Sequence, residues 1–87
     1  MDSPFFIITP TSLVLPLASI IPREPPDPAR VRRALTLMTA AACGAHPKRQ
    51  PVTVIFQGDG RYQIVDGNST FHALLELGEQ EAVVEIR

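Results

Sequence analysis

Asp59-Gly60-Arg61-Tyr62-Gln63-Ile64-Val65-Asp66-Gly67-Asn68-Ser69-Thr70-Phe71-His72-Ala73-Leu74-Leu75-Glu76-Leu77-Gly78 holds a strand, a break and a helix in succession. Tyr62 and Ile64 alternate with Arg61 and Gln63, the period of a half-buried strand over 61–65. Asp66-Gly67 stops it. Phe71, Leu74 and Leu75 then recur at helical spacing, which predicts a helix over 69–77 with Gly78 as its stop. Just upstream, Gly58-Asp59-Gly60 is hairpin chemistry. It joins the 61–65 strand to another over 51–56, whose Val52, Val54 and Phe56 share one face. Further upstream lies a polar loop, 45–50. Before it, Asp27 is a natural N-cap and Pro28 suits the first helical position. Val31, Ala34, Leu35, Met38 and Ala42 form the apolar stripe of that helix, and Gly44 ends it. Residues 22–28 read as a loop around Pro25-Pro26. Residues 12–17 read as a strand, 5–8 as a short strand or ordered tail, and 82–86 as a final strand. The order strand, helix, hairpin, helix, strand is an α+β pattern.

Composition agrees with one small domain. The chain has 87 residues, of which 45% are apolar and 20% charged, enough to build a core and too few charges for global disorder. Formal net charge is −1, which disfavours a strongly basic nucleic-acid binder. Cys43 is the one cysteine, so an internal disulfide and a multi-cysteine zinc site are excluded. At the C-terminal end of the first helix the dipole disfavours a thiolate, and Cys43 reads as a small core residue. The apolar stretch 5–21 is interrupted by Pro10 and Pro16 and has no cationic region before it, so it reads neither as a spanning helix nor as a signal peptide. With the unpaired cysteine this points to a cytoplasmic protein without a membrane partner.

Charge is divided along the chain. Arg23, Arg30, Arg32, Arg33, Lys48 and Arg49 against Glu24 and Asp27 give residues 23–49 a net +4, whereas residues 50–87 sum to −4. Such a field can steer an anion towards the first helix. The anion would meet the turn 66–70, where a strand feeds a helix N-terminus with free N–H groups, a permissive glycine and two hydroxyls. Gly67, Asn68, Ser69 and Thr70 are therefore the candidate phosphate site. The competing reading makes Asn68, Ser69 and Thr70 helix caps and nothing more.

From Leu13 onward the chain resembles the ParB–sulfiredoxin superfamily. The resemblance rests on Val14-Leu15-Pro16-Leu17-Ala18-Ser19-Ile20-Ile21-Pro22, on Arg30-Val31-Arg32-Arg33-Ala34-Leu35, on Pro51-Val52-Thr53-Val54, and on Asp59-Gly60-Arg61-Tyr62-Gln63-Ile64-Val65-Asp66-Gly67, closing with Ala73-Leu74 and Leu77-Gly78. It implies one small domain over 12–87, a mixed sheet with two main helices, preceded by an extension or short strand at 1–11. It also implies a nucleotide or phosphate ligand at the turn after the strand, where the family commonly carries His-His-Arg, Glu-Arg-Arg or, in sulfiredoxins, Cys-His-Arg. Here those positions are Asn68, Ser69 and Thr70. The sulfiredoxin nucleophile and the arginine clamp are both missing.

The expected function is accordingly a degenerate nucleotide- or phosphate-binding module, with Arg23, Lys48 or Arg49 supplying the lost charge from another direction. Thr70 is expected to be partly exposed, so that Thr70→Arg would restore the clamp. An alternative is a nucleotide-dependent phosphotransferase or nuclease-like enzyme, in which Glu24 or Asp66 holds Mg²⁺ beside a nucleoside triphosphate and His72 is the base. A third reading is a protein-partner or DNA-binding component of a partition or regulatory system, with Arg30, Arg32 and Arg33 as DNA contacts. The net charge, and the lack of a following helix-turn-helix segment, make DNA the less expected partner.

Overall fold

A computed structural model describes residues 2–87. Its elements run β1 (Leu13–Pro16), a short 3-10 turn (Leu17–Ser19), β2 (Ile20–Ile21), α1 (Pro28–Ala42), β3 (Val52–Gly58), β4 (Arg61–Asp66), α2 (Asn68–Glu76) and β5 (Glu81–Ile86). The five strands form one mixed sheet in the order β1-β5-β3-β4-β2. β1 is antiparallel to β5 and β3 to β4, while β5–β3 and β4–β2 are parallel. The two helices pack on each other, and α2 also packs on β3 and β5. The fold is thus the α+β sheet with two helices that the sequence implies. Among the described residues no helix is long and apolar enough to cross a membrane.

Local chemistry explains the element ends. Asp27 accepts hydrogen bonds from the backbone N–H groups of Ala29 and Arg30 at 3.0 and 3.3 Å, with Pro28 in the first turn. This removes two orphan donors at the start of α1. Gly44 and Gly78 follow the two helices with φ near 78° and 76°, the left-handed exit that glycine makes cheaply.

Burial departs from the expected stripes at four places. In α1 the buried residues are Val31, Ala34, Met38 and Ala41, so Ala41 and not Ala42 completes the stripe. Cys43, expected in the core, is exposed. It is the C-cap of α1, two residues past Ala41, the last buried residue of that helix. Leu75 is 50% exposed, because the buried side of α2 is filled by Thr70, Phe71, Ala73 and Leu74. Phe56 is 55% exposed. β5 pairs with β3 only as far as Val54↔Ile86, so Phe56 has a strand neighbour on one side alone, Tyr62, with ring centroids 5.3 Å apart.

The first residues join the same core. Phe6 is 2% exposed and lies in the main apolar cluster with Val31, Met38, Val52, Phe71 and Leu74. Its segment makes a parallel bridge to Arg49. A few residues on, the Glu85 carboxylate accepts hydrogen bonds from the hydroxyls of Thr9, Thr11 and Ser12. The bonds from Thr11 and Thr9 hold Glu85 below the ordinary glutamate range.

One contact fixes how β4 enters α2. Gly67 has φ 104°, and a Cβ there would stand 3.2 Å from both methyls of Val52 and 3.3 Å from its Cα. Gly44 has an equally unusual φ but open space around it. Alanine at Gly44 should therefore cost about 1–2 kcal/mol of backbone strain, and alanine at Gly67 about 1–3 kcal/mol more from overpacking. Urea unfolding of the two variants measures the difference. Equal losses would mean that the Val52 contact yields freely.

Candidate functional site

The N-terminus of α2 opens without a side-chain lid. Gly67 is its N-cap and no side-chain cap bond is made. The first intrahelical bond is Phe71 N–H to the Gly67 carbonyl at 2.9 Å. The N–H groups of residues 68–70 have no acceptor within the helix, and they carry its positive pole. Their residues line a cleft of about 230 Å³ bounded by Arg23, Glu24, Arg30, Arg49, Val65, Asp66, Gly67, Asn68, Ser69 and Thr70. A second hollow, formed by residues Glu24–Pro28 with Arg30, Asn68 and Ser69, adjoins it.

The four turn residues have different jobs. Asn68 looks away from its own helix. Its Oδ1 accepts the backbone N–H groups of Arg23 and Glu24 at 2.8 and 3.2 Å, and its Nδ2 donates to the Glu24 carbonyl at 3.1 Å. This staples the 22–28 loop over the turn. Gln63 Nε2 donates to the Ile21 and Pro22 carbonyls at 3.2 Å each and holds the start of the same loop. Ser69 is half-buried in the cleft wall. Thr70, expected to be partly exposed, is only 5% exposed, because its side chain belongs to the buried side of α2. Its Oγ1 accepts a hydrogen bond from Arg49 Nε at 3.0 Å. An arginine at position 70 would have to displace that contact, so the simple restoration of a clamp by Thr70→Arg is corrected.

Three arginines surround the cleft. Arg49 arrives from the loop before β3 and is partly buried. Burial first, and the Arg33 guanidinium second, hold its proton affinity below that of a free arginine. Both effects disfavour an unpaired cation and favour an anion beside it. Arg23 donates from Nη1 to the Val65 carbonyl at 3.3 Å. Arg30, which the DNA reading of the sequence names as a contact, also lines the cleft. Lys48 does not line it. Its ammonium lies 3.4 Å from the Asp2 carboxylate, as expected when neighbours in an extended segment point to opposite sides.

Of the three acid–base candidates, Glu24 and Asp66 both line the cleft. His72 does not. Its Nε2 lies 3.1 Å from the Glu24 carbonyl, so that nitrogen donates to the loop. Among the described residues no group of three or more His, Cys, Asp or Glu side chains stands together for a metal ion.

SbnI from Staphylococcus aureus, truncated at its C-terminus, is similar in structure with a TM-score of 0.75 and 23% identity over 88% of this chain and 30% of that one. Free serine kinase in complex with AMP matches with a TM-score of 0.74 and 20% identity over 88% of this chain and 31% of that one. Sulfiredoxin from Arabidopsis thaliana matches over 90% of this chain and 85% of its own, with a TM-score of 0.66 and 24% identity. This chain has the ParB/sulfiredoxin-like fold. It spans about a third of the length of the SbnI and serine kinase chains it matches. No protein-family model matches the sequence, and no curated protein does.

Where the sequence resemblance sets a cysteine and an arginine, the structure has an amide bonded to the 22–28 loop and a hydroxyl that accepts from Arg49. Sequence reading missed the Asn68 staple because its partners are more than 40 residues away. It missed Arg30 in this site because the packing of α1 on α2, which no local pattern announces, brings the start of α1 to the turn.

Asn68→Ala removes all three staple bonds. It should cost about 0.5–1.5 kcal/mol, because the three bonds are solvent-exposed and water can replace them, and should speed amide exchange at Arg23 and Glu24 while α1 stays protected. Unchanged exchange at those two amides would mean the loop is held by its prolines alone.

Proposed function

We propose that this domain binds the phosphate of a nucleotide or related phosphomonoester in the cleft at the N-terminus of α2, and acts as a binding or regulatory module. The Arg49–Thr70 hydrogen bond carries the reading. The turn itself has no cation, and the bond brings a guanidinium to it from the loop before β3. Uncapped helix N–H groups and an adjacent arginine are the two parts a phosphate needs, one for directional hydrogen bonds and one for charge. Arg23 and Arg30 add charge at the rim. The structural likeness to free serine kinase complexes with AMP and with ADP supports the same ligand class.

Binding is favoured over catalysis by His72, whose Nε2 is engaged with the Glu24 carbonyl. A phosphotransferase reading would draw on Glu24 and Asp66, the two carboxylates of the cleft, which suit a Mg²⁺ that keeps most of its ligands from water and phosphate. A reading through DNA would draw on Arg30, Arg32 and Arg33, of which Arg30 also lines this cleft.

Titration with AMP, followed by amide shifts, should move residues 67–71 and the Arg49 side chain. Arg49→Gln should weaken binding by about ten- to a hundredfold, the loss of one charge-assisted contact, with the fold intact. AMP shifts that lie elsewhere, or the same affinity in Arg49→Gln, would retire this site.

A further inference from the structure

Arg49 has no ion-pair partner among the described residues, where Lys48–Asp2 is the one ion pair. Its guanidinium is placed by its backbone, and that backbone is held by the first residues of the chain. Arg49 N–H donates to the Phe5 carbonyl and Ile7 N–H donates to the Arg49 carbonyl, both at 2.8 Å. Between those two bonds sits Phe6, which is 2% exposed in the core. Ser3 shapes the approach. Its Oγ accepts the backbone N–H groups of Phe5 and Phe6 at 3.2 and 3.1 Å, and the residue is 8% exposed. Residues 45–50 have no helix or multi-residue strand to hold them. The bridge to Phe6 is what gives this loop a fixed backbone at Arg49.

We propose that Phe6 is a positioning residue for the anion cleft. Anchored in the core, it holds the Ser3–Ile7 segment against Arg49 and so sets the guanidinium at Thr70. Two backbone bonds and one buried ring fix the root of a long side chain whose tip would otherwise sample many rotamers, a cost that any ligand would have to meet on binding. This rests on the reading of the cleft as a phosphate site, but the placement of Arg49 can be read without any ligand.

The test uses the full chain with ¹⁵N-labelled arginine and has two readouts, the Arg49 Nε–H signal without ligand and an AMP titration. In the native protein, Arg49 Nε–H should exchange slowly and stand apart from the exposed arginines. Phe6→Ala should bring it to the exposed-arginine position and weaken AMP binding by about tenfold or more. Phe6→Leu, which refills most of the volume, should restore both. Val84→Ala, a core truncation in β5, should lower stability without moving Arg49 Nε–H. That control separates positioning from general destabilisation. If Phe6→Ala does not fold, Ser3→Ala removes the acceptor of two segment N–H groups with no core cavity and should shift the same signal in the same direction. An unmoved Arg49 Nε–H signal in a folded Phe6→Ala or Ser3→Ala variant overturns the proposal, as does an equal shift in Val84→Ala. A native protein that ignores AMP, yet loses its Arg49 signal in Phe6→Ala, upholds the positioning role and rejects the phosphate reading.

Discussion

Gly67 lies so close to Val52 that a Cβ there would stand 3.2 Å from both of its methyls, and the arrangement of the site follows from that contact. It presses the start of α2 onto the start of β3. Thr70 lies three residues after Gly67, and Arg49 three residues before Val52. Bringing the two backbones together at this point puts Arg49 within a hydrogen bond of Thr70. The same positive φ turns the chain from β4 into α2 without a capping side chain, which leaves the helix N–H groups open to the cleft. One glycine therefore brings open helix N–H groups and a guanidinium to the same cleft, the two parts that the proposed phosphate site uses.

In the motif that this chain resembles, the arginine belongs to the helix itself. Here the helix offers a hydroxyl, and the guanidinium comes from a loop that precedes β3. A helix-borne arginine is fixed by the helix. A loop-borne one needs its backbone fixed by something else, and the parallel bridge between Phe6 and Arg49 does this. The 22–28 loop closes the other wall, held by Asn68 at the position where the resemblance places a ligand-binding or reactive residue.

Much of this was legible in the sequence where the signal is local. Asp27-Pro28 announces α1, Gly58-Asp59-Gly60 the hairpin, and Asp66-Gly67 the passage from β4 to α2. Each places a particular backbone conformation at a particular residue. The candidate turn 67–70 was legible for the same reason. What escaped has no local signal. β2 is two residues long and exists because Ile20 and Ile21 pair with Tyr62 and Gln63, too short for any alternation to show. Thr70 is buried because it falls on the packed side of α2, and its hydroxyl meets an arginine 21 residues away in sequence. Leu75 and Phe56 look like core residues, and are not, because hydropathy says what can be buried and only the packed elements decide what is. Cys43 fell to the same limit, one residue beyond the helix.

A crystal structure of the protein with AMP tests the central claim most directly, because it locates the phosphate itself. The account predicts phosphate oxygens within hydrogen-bonding distance, about 2.7–3.2 Å, of the backbone N–H groups at 68–70 and of the Arg49 guanidinium. Phosphate bound away from that turn, with Arg49 still engaged only with Thr70, would contradict it.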